Sequence, residues 1–314
     1  MINRSVCIVL LLLFLAAIQT SGALPMKPDS TISEKKDTIT FHRDRLTGVL
    51  AAEGTLYFAT LGGLYFAWYK DYPQSSFHLF NDDNEWMLMD KIGHTTTAYY
   101  ISMIGYYSYR WSGLSQNKAA IYGSLLGFAY LLNIEILDGF SSQWGFSLGD
   151  FSSNTAGCLL FLGQQLAWKE QRFAMKYSFH QSNFAQYRPN LLGINLIQNM
   201  VKDYNGQTYW LSGNISSFLP KTSKFPKWIN VALGYGAEGM LGASSNPDSL
   251  NHEALPHYER YRQFYLSLDI DFTRIPTRSK PLKALLTIFS FIKVPFPALE
   301  YNTRGKFNFH PFYF

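Results

Sequence analysis

The period of the apolar pattern changes once along this chain, near residue 170, and that change limits the possible folds more than any other feature. Residues 46–69, 90–110, 117–137 and 148–168 are long apolar runs punctuated by Gly or polar turns, as helices are. Beyond them the period drops to two. The stretch RFAMKYSFH sets Phe173, Met175, Tyr177 and Phe179 against Ala174, Lys176, Ser178 and His180. QFYLSLDIDFT sets Phe264, Leu266, Leu268, Ile270 and Phe272 against Tyr265, Ser267, Asp269, Asp271 and Thr273. Both are strands with one apolar face. Segments 228–236, 298–302 and 306–309 read as further strands, 280–293 as a helix lying on a surface, and 242–260 as a long loop. Helices first and a mostly antiparallel sheet second make an α+β chain. The expected organisation is an apolar four-helix domain over 45–170 and a sheet-rich region over 171–314.

The first residues address the chain to export. Met1 to Arg4 is a short basic segment, Val6 to Ile18 is apolar, and Ser21, Gly22 and Ala23 are the small residues a signal peptidase reads. A signal peptide over 1–23 is expected, followed by a flexible leader over 24–44. Cys7 lies inside the apolar segment with no small residue before it, so no lipid is expected there. Loss of Arg4 reduces 27 basic side chains to 26 against 22 acidic ones, a net charge of +4. These charges are spread thinly, so no nucleic-acid partner is expected. Cys158 is then the one cysteine left, which excludes an internal disulfide. Aromatics at 17% outnumber charged residues at 16%, a balance that suits contact with lipid or a large partner.

The four apolar runs approach the length of membrane spans. Glu53 and Glu135 interrupt two of them, and a charge at mid-helix costs about 2.5–3.5 kcal/mol on insertion scales. Retention in the inner membrane is therefore not the favoured reading, and the borderline hydropathy fits a protein bound for the outer membrane. The chain stops at FNFHPFYF, which resembles the closing strand of bacterial outer-membrane barrels, except that Pro311 puts Phe307 and Phe309 out of step with Phe312 and Phe314. A sheet docked at a surface is preferred, with a closed barrel as the alternative.

Polar groups recur inside the apolar runs. Asp90, Lys91 and His94 stand in DKIGHTTTAYY, with Asp90 and His94 one helical turn apart. Glu135 and Asp138 end the third run, and Asp150, Asn154 and Gly157 form a polar stripe on the fourth. This ordered set resembles the signature of the YfiM-like predicted periplasmic lipoproteins, and is distantly similar to the VanZ-like membrane proteins. The resemblance covers residues 85–165. It implies a location, the periplasm or outer membrane of a Gram-negative bacterium, and no chemistry.

Two readings of the set compete. In the first, buried polar groups tie the helices together. Ser147 caps the fourth helix with Asp150 three residues on, His94 is a satisfied core histidine, and the protein is a structural or interaction component of the envelope. Its partners would be the outer membrane, other envelope proteins, or lipid. In the second, it is an enzyme acting on a lipid or lipid-linked envelope molecule, with His94 as base, Asp90 or Glu135 orienting it, and Asp150, Asn154, Asp138 and Lys91 binding the headgroup. His94, Glu135 and Asp150 would also suit a one-histidine, two-carboxylate cation site, but their spacing fits no established motif, so neither metal nor cofactor is expected. Ser141, Ser142 and Ser147 lie in no G-x-S-x-G elbow, which argues against a serine hydrolase. The non-enzymatic reading is preferred.

Overall fold

The computed structural model describes residues 40–70, 72–250 and 252–314. The expected signal peptide, Cys7 and leader residues 24–39 lie outside the described residues. The chain divides into two compact units. One comprises His94–Gln171 and the described residues up to Asp82; the other comprises Asp83–Gly93 and Arg172–Phe314.

Among the described residues four helices precede a sheet-rich region, so the fold is α+β. They are α1 (Arg43–Leu64), α2 (Met89–Trp111), α3 (Gln116–Gly139) and α4 (Leu148–Trp168). One wide π-type turn, Tyr65–Tyr69, prolongs α1. Ser147 starts α4, its hydroxyl accepting the Asp150 N–H at 3.0 Å and donating to Asp82 Oδ1 at 2.5 Å. Glycines set how closely these helices approach. A Cβ on Gly157 of α4 would lie 2.1 Å from the Thr95 carbonyl oxygen, and one on Gly105 of α2 would lie 2.7 Å from the Gly123 Cα of α3. Around these contacts Leu64, Ala98, Ile101, Tyr130, Leu131, Ile134 and Cys158 form the core of this unit. Each large apolar side chain buried there contributes about 1.5–3 kcal/mol.

In the other unit six strands make one antiparallel sheet. They are β1 (Phe173–Phe179), β2 (Gln207–Asn214), β3 (Ile229–Glu238), β6 (Tyr261–Ile270), β7 (Phe296–Asn302) and β8 (Phe307–Tyr313), in the order β1-β2-β3-β6-β7-β8. A small hairpin, β4 (Ser249–Leu250) and β5 (Glu253–Ala254), interrupts the long loop. The short helices α5 (Pro189–Leu192) and α6 (Leu196–Lys202) lie between β1 and β2, and α7 (Lys280–Ile288) lies between β6 and β7.

The sheet is strongly curled. Thr208 of β2 and Tyr313 of β8 are four strand spacings apart, about 19 Å on a flat sheet, yet their hydroxyls lie 3.0 Å apart. The free edge of β1 is met by the segment after α7, where Lys293 N donates to the Tyr177 carbonyl at 2.9 Å. Pro311 falls in an irregularity of the β7–β8 ladder, where Ala298 pairs with His310 and Phe296 with Tyr313. The extra β8 residue resets the alternation, so Phe312 is exposed along with Phe307 and Phe309.

The polar face of the sheet is the buried one. Lys176 Nζ lies 2.8 Å from Asp269 Oδ2, which also accepts from Ser212 at 2.6 Å. Asn230 donates to Ser212 at 2.9 Å, and Trp210 Nε1 donates to Ser178 at 2.9 Å. Leu211, Leu233, Phe264, Leu266, Leu268 and Leu299 face outward.

Candidate functional site

Three helices of the helical unit each bring polar side chains to one interior point. His94 comes from the second turn of α2, Glu135 from the last turns of α3, and Asp150 and Asn154 from the first two turns of α4. All four are buried: His94 is 7% exposed, Asn154 2%, Glu135 and Asp150 0%. His94 Nδ1 lies 3.0 Å from Asn154 Oδ1 and 3.8 Å from Glu135 Oε1. On the opposite side of the ring, Nε2 lies 3.6 Å from Asp150 Oδ1.

Asp150 serves twice. Its backbone N–H completes the Ser147 cap, while its carboxylate faces the imidazole. Capping and clustering are thus parts of one arrangement. An amide oxygen only accepts, so Nδ1 carries a proton and donates to Asn154. Nε2 then faces the Asp150 carboxylate. Asn154 Nδ2 has no hydrogen-bond partner among the described residues, a cost of about 1–3 kcal/mol for a buried amide.

The other sequence candidates also make bonds of their own. Asp138 accepts from Tyr69 at 2.7 Å and makes a separate tie to the end of the first helical segment. Three residues along a helix rotate the side chain by about 60° net, and that rotation sends Glu135 to His94 and Asp138 to Tyr69. Asp90 and Lys91 count with the sheet unit. There Asp90 Oδ1 accepts from Tyr204 at 2.7 Å, and Lys91 Nζ lies 3.6 Å from Asp90 Oδ2. Beside them Met89 packs in a core with Tyr204, Tyr209, Ala237 and Met240.

Glu135 and Asp150 approach different ring nitrogens, so with His94 they do not face one common point. The cluster otherwise has the parts of an acid–base site, an imidazole between two carboxylates.

Another acid, half-buried, was legible in the sequence only as an interruption of α1. Glu53 Oε2 accepts from the Tyr109 hydroxyl at 2.8 Å. Burial pushes its carboxyl up to about 7, against a smaller lowering by the Tyr109 hydrogen bond. Burial, and then the Glu53 charge, raise the Tyr109 hydroxyl in turn.

Residues 79–162 match the model of a family described as "Predicted periplasmic lipoprotein (DUF2279)". The matched stretch contains His94, Glu135, Asp150 and Asn154. No curated protein and no solved structure matches the chain. The family match supports an exported, periplasmic protein of the cell envelope, and it assigns no activity.

Proposed function

We propose that the chain is a structural or interaction protein at the periplasmic side of the outer membrane, with the His94 group acting as a buried clamp on its helices. The observation that carries this is the enclosure of the group. A catalytic imidazole needs a face open to its substrate. His94 is 7% exposed, with Asn154 and a carboxylate at one ring nitrogen and a second carboxylate at the other. Linking α2, α3 and α4 through one imidazole also sets a carboxylate from each of two helices beside a ring nitrogen. The YfiM-like resemblance, and more distantly the VanZ-like one, belong to this reading, with the outer membrane or another envelope protein as the partner.

One observation favours the enzymatic reading. Asn154 Nδ2 is a buried donor without a partner beside His94, and an oxygen of a small polar ligand would satisfy it. In that case His94 would serve as base and Glu135 would orient it.

Density-gradient fractionation of cells making the tagged full-length protein tests the location. The protein is expected in the outer-membrane or periplasmic fractions, and recovery with the cytoplasm would overturn the proposal. Clamp and catalyst are separated by comparing folding with phenotype in His94→Gln.

A further inference from the structure

The sheet has its faces reversed relative to a sheet that packs on a core in water, where apolar residues turn inward. Its register carries Leu211, Leu233, Leu266, Leu299 and Phe309 across five strands in one row. All five are between 38% and 63% exposed. Along β6 the outward positions from Phe264 to Ile270 carry no charge, while the opposite side buries Gln263, Ser267 and Asp269. The row alone is about 19 Å wide at the usual strand spacing. A water-facing monomer seldom leaves so continuous an apolar face open.

The surroundings of this face point to its occupant. β3 and β6 are 10 residues long, within the roughly 9–11 that a tilted strand needs to cross hydrocarbon. The end of the sheet at the Ile229–Ile270 pair carries exposed Lys221, Lys224 and Lys227 in the β2–β3 connection, and Arg278 after β6. Trp228 lies beside them, its carbonyl accepting from Asp271 N at 2.8 Å. From the same end α7 runs on, with Leu282 and Leu285 exposed, and Phe289 exposed in the turn that follows it. An apolar band, a cationic rim with an aromatic, and an amphipathic helix together complement an anionic bilayer.

We infer that the outward face of the sheet and the apolar side of α7 seat in the hydrocarbon of a lipid bilayer, with the basic rim on lipid phosphates. The polar interior is then the side turned away from lipid, the alternation that membrane barrels use. This goes beyond the envelope reading and stands on the sheet alone, so it survives if the clamp fails.

The test is a fluorescence measurement on the full-length mature protein with an environment-sensitive probe on Leu266→Cys. Cys158 is buried, so the engineered surface thiol takes the label. Added to phosphatidylethanolamine–phosphatidylglycerol vesicles, the probe is expected to shift to the blue and to be quenched by acyl-chain-brominated lipid, while the same probe on Ser244→Cys stays in water. Replacing Lys221, Lys224 and Lys227 by Gln weakens partitioning onto these vesicles by roughly a hundredfold. A probe at position 266 that stays accessible to aqueous iodide overturns the inference. So does a discrete lipid-free oligomer, seen by sedimentation equilibrium, that shields the probe, because the occupant would then be a second copy of the chain. Unchanged partitioning of the triple variant also overturns it.

Discussion

His94 Nδ1 lies 3.0 Å from Asn154 Oδ1, so the imidazole of one helix is oriented by the amide of another. The opposite nitrogen is thereby turned toward Asp150 Oδ1 at 3.6 Å. If this is a clamp, His94→Gln and Asp150→Asn each remove part of one network. Each should cost about 1–3 kcal/mol, and Tm should fall by about 2–4 °C per kcal/mol. The double variant should lose less than the sum of the two, because the residues share partners. Circular-dichroism melts of the three variants measure this, and strict additivity would argue against a shared network.

Glu53 makes the helical unit sensitive to pH. Its carboxyl is pushed up to about 7 in the folded chain, above its ordinary value of 4.5, chiefly by burial. The proton is therefore held more tightly in the folded state. The stability this contributes is fully present below about pH 4.5 and is lost as pH rises through about 7. Tm of the wild type minus Tm of Glu53→Gln should fall across that window. A flat difference would mean that Glu53 keeps an ordinary carboxyl.

Two glycines on α4 provide a paired packing test. A Cβ at Gly157 would meet the Thr95 carbonyl at 2.1 Å, whereas nothing lies within 4 Å of one at Gly163. Gly157→Ala should destabilise by about 1–3 kcal/mol by forcing the helices apart. Gly163→Ala should be neutral or stabilising by up to about 1 kcal/mol through helix propensity. Chemical denaturation of the two variants gives both values, and equal effects would contradict the close crossing.

The buried face of the sheet depends on an ion pair. Asp269→Ala leaves Lys176 buried without its carboxylate, a loss of about 3–5 kcal/mol. Adding Lys176→Met should recover much of it, since the charge and its desolvation go together. A double variant as unstable as Asp269→Ala alone would show that the pair is not what fills this interior.

The four helices were legible because each apolar run is long and α4 carries its own start signal in Ser147 and Asp150. The convergence of His94, Glu135, Asp150 and Asn154 was legible for a related reason: polar groups on apolar helices need one another. β2 escaped notice because Thr208, Trp210 and Ser212 lie on its buried side and Tyr209, Leu211 and Gly213 on the other, which leaves no clean apolar alternation. Period two in β6 reveals two faces but not which is buried, and here it is the polar one. The turn before α2 was equally hidden. Trp86, Met87 and Leu88 adopt positive φ of 48°, 52° and 70° with no glycine to announce it. Asp90 follows that turn and bonds Tyr204, a partner 114 positions away that no local pattern could supply.

Complementing a deletion strain with His94→Gln across a range of growth temperatures separates a group that holds the fold together from one that carries out a reaction. The variant is expected to restore the envelope phenotype wherever it remains folded and to fail only above its own lowered melting temperature. A variant that is abundant and folded at the growth temperature yet fails to complement would overturn the clamp and leave His94 as a catalytic base.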